Sequence, residues 1–129
     1  GSRKMYLVTV ADGVDIRNAV LSEQAVQGFI KTFVVGSKRK EIWERFQKYR
    51  VDGGFKAYVF NNIILNEKAI KSTNTVNLRQ FYVENGIDYD MVDNAFGWGE
   101  KMMVLFNMKK IVSTKILKPG EVPEKYNLH

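Results

Sequence analysis

The sequence contains no cysteine and one histidine, His129, which is its last residue. Without cysteine, the chain cannot form a disulfide scaffold, a cysteine zinc ribbon, an iron–sulfur cluster or a thiol nucleophile. A single terminal histidine also disfavours a Ser-His-Asp triad, a histidine metal site and a HExxH metalloprotease. The composition therefore predicts a protein without a cofactor, and we expect a function that is not catalytic.

Long hydrophobic runs are also missing, since no apolar segment approaches the roughly 18–20 residues that cross a bilayer. The N-terminus lacks the apolar stretch of a secretory signal. We therefore predict that the protein has no membrane partner and works in the cytoplasm, which would be the host's if the protein is viral. Gly1 and Ser2 look like the remnant of a protease-cleavage site, so we expect the natural chain to begin at Met5 or to be longer.

Two adjacent helices are predicted from apolar spacing and from residues suited to helix ends. The chain has 129 residues, which fits one domain over 1–129 with an irregular tail over 118–129. Ser22 is suited to cap the first helix and Gly36 to end it, because glycine accepts a left-handed conformation. Ser37 is suited to cap a second helix, with Trp43, Phe46 and Tyr49 on its buried face. Two further helices are predicted over residues 75–86 and 88–96.

The strands are predicted to be joined by tight turns. The first strand covers residues 5–10, and a hairpin turns at Asn61-Asn62 between 55–60 and 63–67, because asparagine tolerates positive φ. A second hairpin pairs 102–106 with 111–117. Tight turns imply antiparallel pairing. We therefore predict an α+β fold, in which a small antiparallel sheet built from hairpins packs against three or four helices.

The net charge of +6 hides a block pattern along the chain. Residues 31–56 carry eight basic and three acidic side chains, for a net charge of +5. Residues 80–100, the acidic block, carry five acidic side chains and no basic one, and residues 101–118 carry five lysines and no acid. These blocks either neutralise one another on a solvated surface, or the two basic blocks share one face that binds a polyanion.

The start of the second helix is the first candidate for binding a polyanion. Lys38, Arg39 and Lys40 oppose the helix dipole, which an anion held by the backbone N–H groups would offset. Arg45 and Lys48 then extend the basic surface along the helix. The spacing of a Walker A loop is absent. The alternative interpretation is an exposed basic turn without a ligand.

An aromatic strand face is the second candidate. On a strand, Lys56, Tyr58 and Phe60 point to one side, and such a face can stack the bases of a single strand. The sequence lacks an RNP motif, and helices covering this face are the alternative. With Lys109 and Lys110 from the second basic block, these residues lead us to predict a small nucleic-acid-binding protein for RNA or single-stranded DNA. The sequence does not decide its oligomeric state.

Two other functions stay open. A protein-interaction or inhibitory module of viral or accessory type would use the acidic block, with Trp98, Asp90 and Asp93 meeting a basic protein partner. A metal-dependent nuclease would use Asp12 and Asp15, because carboxylates that follow a strand often bind Mg²⁺. Turn capping is the more common explanation of such a pair.

Overall fold

The computed structural model describes residues 5–66, 75–95, 100–118 and 120. Within these residues the chain forms four α-helices and seven strands in three small antiparallel sheets, which confirms the predicted α+β class. The helices are α1 (Glu23–Phe33), α2 (Arg39–Gln47), α3 (Ala57–Asn66) and α4 (Thr75–Glu84). The strands are β1 (Met5–Val10), β2 (Val20–Leu21), β3 (Arg50–Val51), β4 (Gly54–Lys56), β5 (Tyr89–Ala95), β6 (Glu100–Leu105) and β7 (Ile111–Leu117).

The chain divides into two compact units. The ribbon unit comprises Gly1–Asp12 and Met108–His129, and the core unit comprises Gly13–Asn107. The prediction of a single domain over the whole chain stays a prediction.

The ribbon unit is built on the antiparallel pair of β1 and β7. Met5 lies opposite Leu117 and Thr9 opposite Ser113, and the register then shifts by a bulge at Val10. Strand β1 was predicted and is confirmed. The predicted hairpin of 102–106 with 111–117 is wrong, because β6 pairs with β5 while β7 pairs with β1 from the other end of the chain.

Helix α1 forms as its sequence predicts. The hydroxyl oxygen of Ser22 accepts the backbone N–H of Ala25 at 3.1 Å, which satisfies one of the donors left free at a helix start. Val26, Phe29 and Ile30 share one buried face. The helix ends at Phe33, before the predicted stop at Gly36, and a 3₁₀ turn over Gly36–Lys38 leads into α2.

Helix α3 replaces most of the predicted hairpin of 55–60 with 63–67, although Phe55 and Lys56 do form part of strand β4 and residue 67 lies outside the described residues. Its buried residues, Ala57, Phe60, Ile63 and Ile64, recur at intervals of three and four, which places them on one side of a helix. Before it, β4 lies between β2 and β3 in a three-stranded sheet. Gly54 starts β4 at φ +141° and approaches the Leu21 carbonyl so closely that a Cβ would collide with it.

The predicted helix over 88–96 is also wrong, because Tyr89–Ala95 forms β5, whose partner is β6. Helix α4 ends at Glu84, and the predicted stop, Gly86, follows in the turn with φ +77°. The chain then turns at Asp88, where the carboxylate accepts the N–H of Val14 at 2.8 Å and the side-chain amide of Asn107 at 2.9 Å. These contacts direct the chain into an extended strand instead of a new helix.

The centre of the core unit is a cluster of aromatic rings around Phe60, which is fully buried. Its ring stacks on Phe46 at 5.3 Å between centroids and meets Phe29 edge-on at 5.2 Å. Phe81 and Tyr82 of α4 complete the cluster at 5.4 and 6.3 Å. Offset and edge-on ring pairs of this kind add to the free energy of burial, so α1, α2, α3 and α4 are held by one shared core.

Candidate nucleic-acid interface

A polar depression of the core unit lies between α2 and α3, and we call it the α2–α3 groove. Its volume is about 540 Å³, within the roughly 300–1,000 Å³ that small-ligand sites occupy. The described residues that line it include no acid. They are Arg45, Lys48, Tyr49, Val59, Asn62, Ile63 and Asn66.

The sequence of each helix explains which side chains reach the groove. Ile42 and Phe46 bury one side of α2, so Arg45 points away from the core, and exposed Lys48 follows the last turn. On α3, burial of Ile63 leaves its neighbour Asn62 half-buried at the groove wall. The groove therefore combines charges from α2 with amides from α3.

Tyr49 gives the groove an accessible ring. The prediction that Tyr49 shares the buried face of the second helix is wrong, because α2 ends at Gln47 and Tyr49 lies beyond the helical phase. Its side chain is 49 % exposed, whereas Trp43 and Phe46 pack in or against the core. Aromatic rings stack on bases, and cations contact phosphates, so the groove offers both chemistries of nucleic-acid recognition.

A second, smaller basic depression of about 270 Å³ lies between α1 and α2. Here Arg39 donates from Nε to the carbonyl of Val34 at 3.1 Å and so caps the end of α1. The described lining residues are Gln27, Ile30, Lys31, Arg39, Lys40 and Trp43. Glu41 and Glu44 of α2 are exposed but line neither depression.

Comparisons with protein-family models, with curated proteins and with solved structures each found no match. Among the described residues, no helix is both long enough and apolar enough to cross a membrane.

The predicted aromatic strand face does not form. Lys56 is exposed at the end of β4, Tyr58 is 47 % exposed on α3, and Phe60 is fully buried in the core. The helical turn between positions 58 and 60 rotates these side chains to different sides. Phe60 is thus a structural residue, and Lys56 and Tyr58 stay exposed without sharing a strand with it.

The start of the second helix, predicted to bind a polyanion, differs from the prediction in its local geometry. Lys38 occupies the N-cap position of α2 without a capping side-chain hydrogen bond, so the predicted cap at Ser37 is wrong. Lys38, Arg39 and Lys40 are all exposed, as an anion-binding segment requires. Their binding of phosphate stays a prediction.

Lys109 and Lys110 belong to the ribbon unit, where they end a 3₁₀ turn over Met108–Lys110. The carbonyl of Lys110 accepts the N–H of Ala11 at 2.8 Å, which anchors this turn to the segment after β1. That the two basic blocks share one face stays a prediction.

The acidic residues near β5 are largely engaged within the core unit. Asp15 accepts the backbone N–H and the guanidinium of Arg17, both at 2.9 Å, and Arg17 also forms an ion pair with Asp93 at 2.8 Å. Burial would raise the pKa of Asp15, but the hydrogen bonds and the charge of Arg17 outweigh it and lower the pKa. Among the described residues, no group of three or more potential ligands could hold a metal.

Asp90 has the opposite electrostatic environment. Desolvation and the nearby charge of Asp15 raise the pKa of its carboxyl group, although Arg17 lowers it in part. Asp90 lines a cavity of about 300 Å³ together with Tyr82, whose hydroxyl donates to the side-chain oxygen of Asn61 at 2.5 Å. Trp98, the other residue predicted to contact a protein, lies outside the described residues.

Three residues of the α2–α3 groove were not predicted from the sequence as binding residues: Tyr49, Asn62 and Asn66. For Tyr49, the only indication is that α2 ends two residues before it. For the asparagines, helical spacing of Phe60, Ile63 and Ile64 would have placed positions 62 and 66 beside the buried stripe instead of in a hairpin turn.

Proposed function

We propose that the protein binds RNA or single-stranded DNA without catalysing a reaction, through the α2–α3 groove, and that it does so in the cytoplasm. One observation carries the proposal. The groove places Arg45 and Lys48 beside the accessible ring of Tyr49, with no acid among the described residues that line it.

The division of roles follows from side-chain chemistry. Arg45 and Lys48 contact phosphates, and each such contact releases a counterion, so binding weakens with salt. Tyr49 stacks a base, which accounts for roughly 1–3 kcal/mol per base in single-strand binding. Asn62 and Asn66 each carry an amide that donates and accepts, so they contact base edges or sugars.

A single strand fits this surface better than a duplex does. A duplex would have to lie across the outward ridge of α2, where Glu41 and Glu44 are exposed and would repel its phosphates. A flexible strand can instead follow the groove beside the ridge and present an unstacked base to Tyr49. Lys31 and Lys40, in the depression on the other side of α2, supply further phosphate contacts.

The test compares two lysines of equal charge and different position. Lys48→Glu changes the groove, and Lys101→Glu makes the same change of charge at an exposed position of β6. Binding of fluorescein-labelled oligo-dT and oligo-rU is measured by anisotropy over a salt series. We expect Lys48→Glu to weaken binding on the order of tenfold and to flatten the log–log salt slope by about 0.7, with little change for Lys101→Glu.

A second pair isolates stacking from charge. Tyr49→Ala and Tyr58→Ala remove rings of nearly equal exposure, 49 % and 47 %, but only Tyr49 lines the groove. Tyr49→Ala should weaken binding roughly 5- to 150-fold, the equivalent of one stacked base. Equal effects within each pair, or no binding of either oligonucleotide by the unaltered protein at low salt, would overturn the proposal.

The engagement of the acidic side chains favours nucleic-acid binding over the two other functions. Asp93 is in an ion pair with Arg17, so a basic protein partner would have to compete with that guanidinium for the carboxylate. Asp15, one of the two predicted magnesium ligands, accepts from the same guanidinium. A structural role accounts for both carboxylates, because their ion pairs with Arg17 hold the segment after residue 13 in place.

A further inference from the structure

The cavity of about 300 Å³ that Asp90 lines lies within the core unit, where α3, α4 and the β5–β6 pair meet, and we call it the Asp90 cavity. On α3, Asn61 and Leu65 are four residues apart and so share one face. The same spacing brings Leu78 and Tyr82 together on α4. The other described residues that line the cavity are Arg79, Asp90, Val104 and Phe106.

Asp90 supplies the cavity with an unused hydrogen-bond acceptor. It lies directly opposite Val104 in the β5–β6 pair, so both side chains extend to the same side of that pair. The Asp90 side chain is half-buried, yet its carboxylate forms no hydrogen bond or ion pair with another described residue. A partly desolvated carboxylate without such a partner is stabilised by a ligand that donates hydrogen bonds to it.

Donor groups line the same cavity. The Tyr82 hydroxyl donates to Oδ1 of Asn61 at 2.5 Å, which engages the amide oxygen and leaves the amide nitrogen to donate. The guanidinium of Arg79 forms no ion pair with another described residue. Because a carboxylate and a guanidinium line one cavity, a neutral ligand with both donor and acceptor groups suits it better than a simple cation or anion does.

An aromatic wall completes the cavity. The rings of Tyr82 and Phe106 lie 5.0 Å apart between centroids, with their planes inclined by 39°. Tyr82 is fixed in the core at 1 % exposure, whereas Phe106 is half-buried and so leaves part of its ring open. Aromatic rings stack on flat heterocycles. The volume lies at the lower end of the range for small-ligand sites, so the cavity suits one planar group.

We propose that the Asp90 cavity binds a guanine base, which comes from a free nucleoside or nucleotide or from one unstacked position of a single strand. Guanine carries two adjacent donors, the N1–H and the N2 amino group, which match the two oxygens of the Asp90 carboxylate. Its O6 and N7 are acceptors, and arginine contacts this pair more often than any other base edge. Arg79 and Asn61 supply donors for these two atoms.

The donor and acceptor pattern of guanine distinguishes it from the other bases. Adenine and cytosine place a ring-nitrogen acceptor beside their amino group, and uracil places a carbonyl on each side of its N–H. Each of these acceptors would face an oxygen of Asp90 and be repelled. The inference does not rest on the α2–α3 groove, because none of the described residues that line the cavity lines that groove.

The first test uses nucleosides, which carry no phosphate and therefore do not depend on the basic groove. Binding of guanosine to the full chain is measured by chemical-shift changes in NMR spectra of nitrogen-15-labelled protein. Inosine lacks only the N2 amino group and 7-deazaguanosine lacks only the N7 acceptor. We expect each to bind roughly 5- to 150-fold more weakly than guanosine, which is the discrimination that one bidentate contact provides.

A matched pair of variants assigns the preference to the cavity. Asp90→Asn keeps the size of the side chain but replaces one acceptor oxygen with a donor, so the preference for guanosine over inosine should disappear. Asp52→Asn makes the same change at an exposed position between β3 and β4 and should keep the preference. Circular dichroism checks that both variants are folded.

A second test identifies the source of the base. Oligo-dT with one central guanine is compared with the same strand carrying hypoxanthine, the base of inosine, at that position. Tighter binding of the guanine strand assigns the cavity to a base within a strand, whereas a preference confined to the nucleosides assigns it to free nucleosides or nucleotides. No guanine preference in either test, or a preference that Asp90→Asn leaves unchanged, would overturn the inference, while binding of plain oligo-dT tests the groove separately.

Discussion

The ribbon unit and the core unit use similar residues with different outcomes. Strands β1 and β7 are richer in Val, Ile and Leu than the core helices, yet all 17 buried hydrophobic residues found in the described chain belong to the core unit. The two units differ in how many elements pack together. Side chains from three other helices surround Phe60 of α3, whereas Tyr6 and Val8 on two paired strands are about half exposed. Burial thus depends on packing partners as much as on hydrophobicity.

Truncation of one side chain in each unit gives the largest expected contrast. Phe60→Ala removes a ring that touches four other aromatic rings, and we expect a loss of about 3–5 kcal/mol in the free energy of unfolding. Val8→Ala should cost less than about 1 kcal/mol at low protein concentration, because the side chain is already 44 % exposed. Urea unfolding followed by circular dichroism measures both, and equal losses would refute the comparison.

Two glycines of the core unit differ in the space around them, and alanine substitutions at both positions test that difference. Gly54→Ala should destabilise the protein by roughly 1–3 kcal/mol, because φ is +141° and the new Cβ would meet the Leu21 carbonyl. Gly28→Ala adds the same methyl group to an exposed position of α1 with open space around it, so it should stabilise by roughly 0.5–1 kcal/mol. Thermal unfolding should therefore shift in opposite directions, and a shift of the same sign would contradict the close approach at Gly54.

Two aspartates test the electrostatics of the core unit with a smaller effect. The folded pKa of Asp15 lies below the ordinary value of 3.8, so its contribution to stability is present above that value and is lost as the pH falls through the folded pKa. The folded pKa of Asp90 lies above 3.8, so its contribution is present at lower pH and is lost as the pH rises through the folded pKa.

Asparagine substitutions at these positions should therefore change stability with opposite sign. At about pH 7, Asp15→Asn should lower the free energy of unfolding by about 1–2 kcal/mol, because a charge-assisted hydrogen bond is weakened. Asp90→Asn should raise it slightly, since an ionised and partly desolvated carboxylate is removed. Chemical unfolding over a pH series checks both, and each difference should shrink once the carboxylate is protonated.

Local signals in the sequence were sufficient for the elements that depend on local contacts. Ser22 caps α1 through its own neighbour Ala25, and Gly86 follows α4 in a turn with the positive φ that glycine accepts. Both features need only a few consecutive residues, which explains why they are predictable.

Elements that depend on distant partners were not predictable in this way. The segment around Phe60 has residues that favour strands, which compete with its helical spacing, and its contacts with the rings of Phe29 and Phe46, which lie elsewhere in the sequence, favour the helix. Strand β7 follows a short turn after β6, but its partner is β1, more than one hundred residues earlier. Neither partner is visible in a local window.

The residues of the candidate site also divide into those that local sequence reveals and those that depend on distant contacts. The charges of Arg45 and Lys48 were found from the sequence, because charged residues on an amphipathic helix stay outside the core. The approach of Asn62 and Asn66 to these charges was not found, because it requires α3 to be a helix beside α2. The chemistry of the site was thus partly predictable and its shape was not.

The contacts of Asp88 have a consequence for engineering the core unit. The Asp88 carboxylate accepts from Val14 through one oxygen and from Asn107 through the other, so the two ends of Gly13–Asn107 come together at one side chain. A segment whose ends meet can be transplanted into a loop of another protein, or given new termini elsewhere after its ends are joined by a short linker. The contacts of Asp88 thus make the core unit suitable for insertion into another protein or for circular permutation.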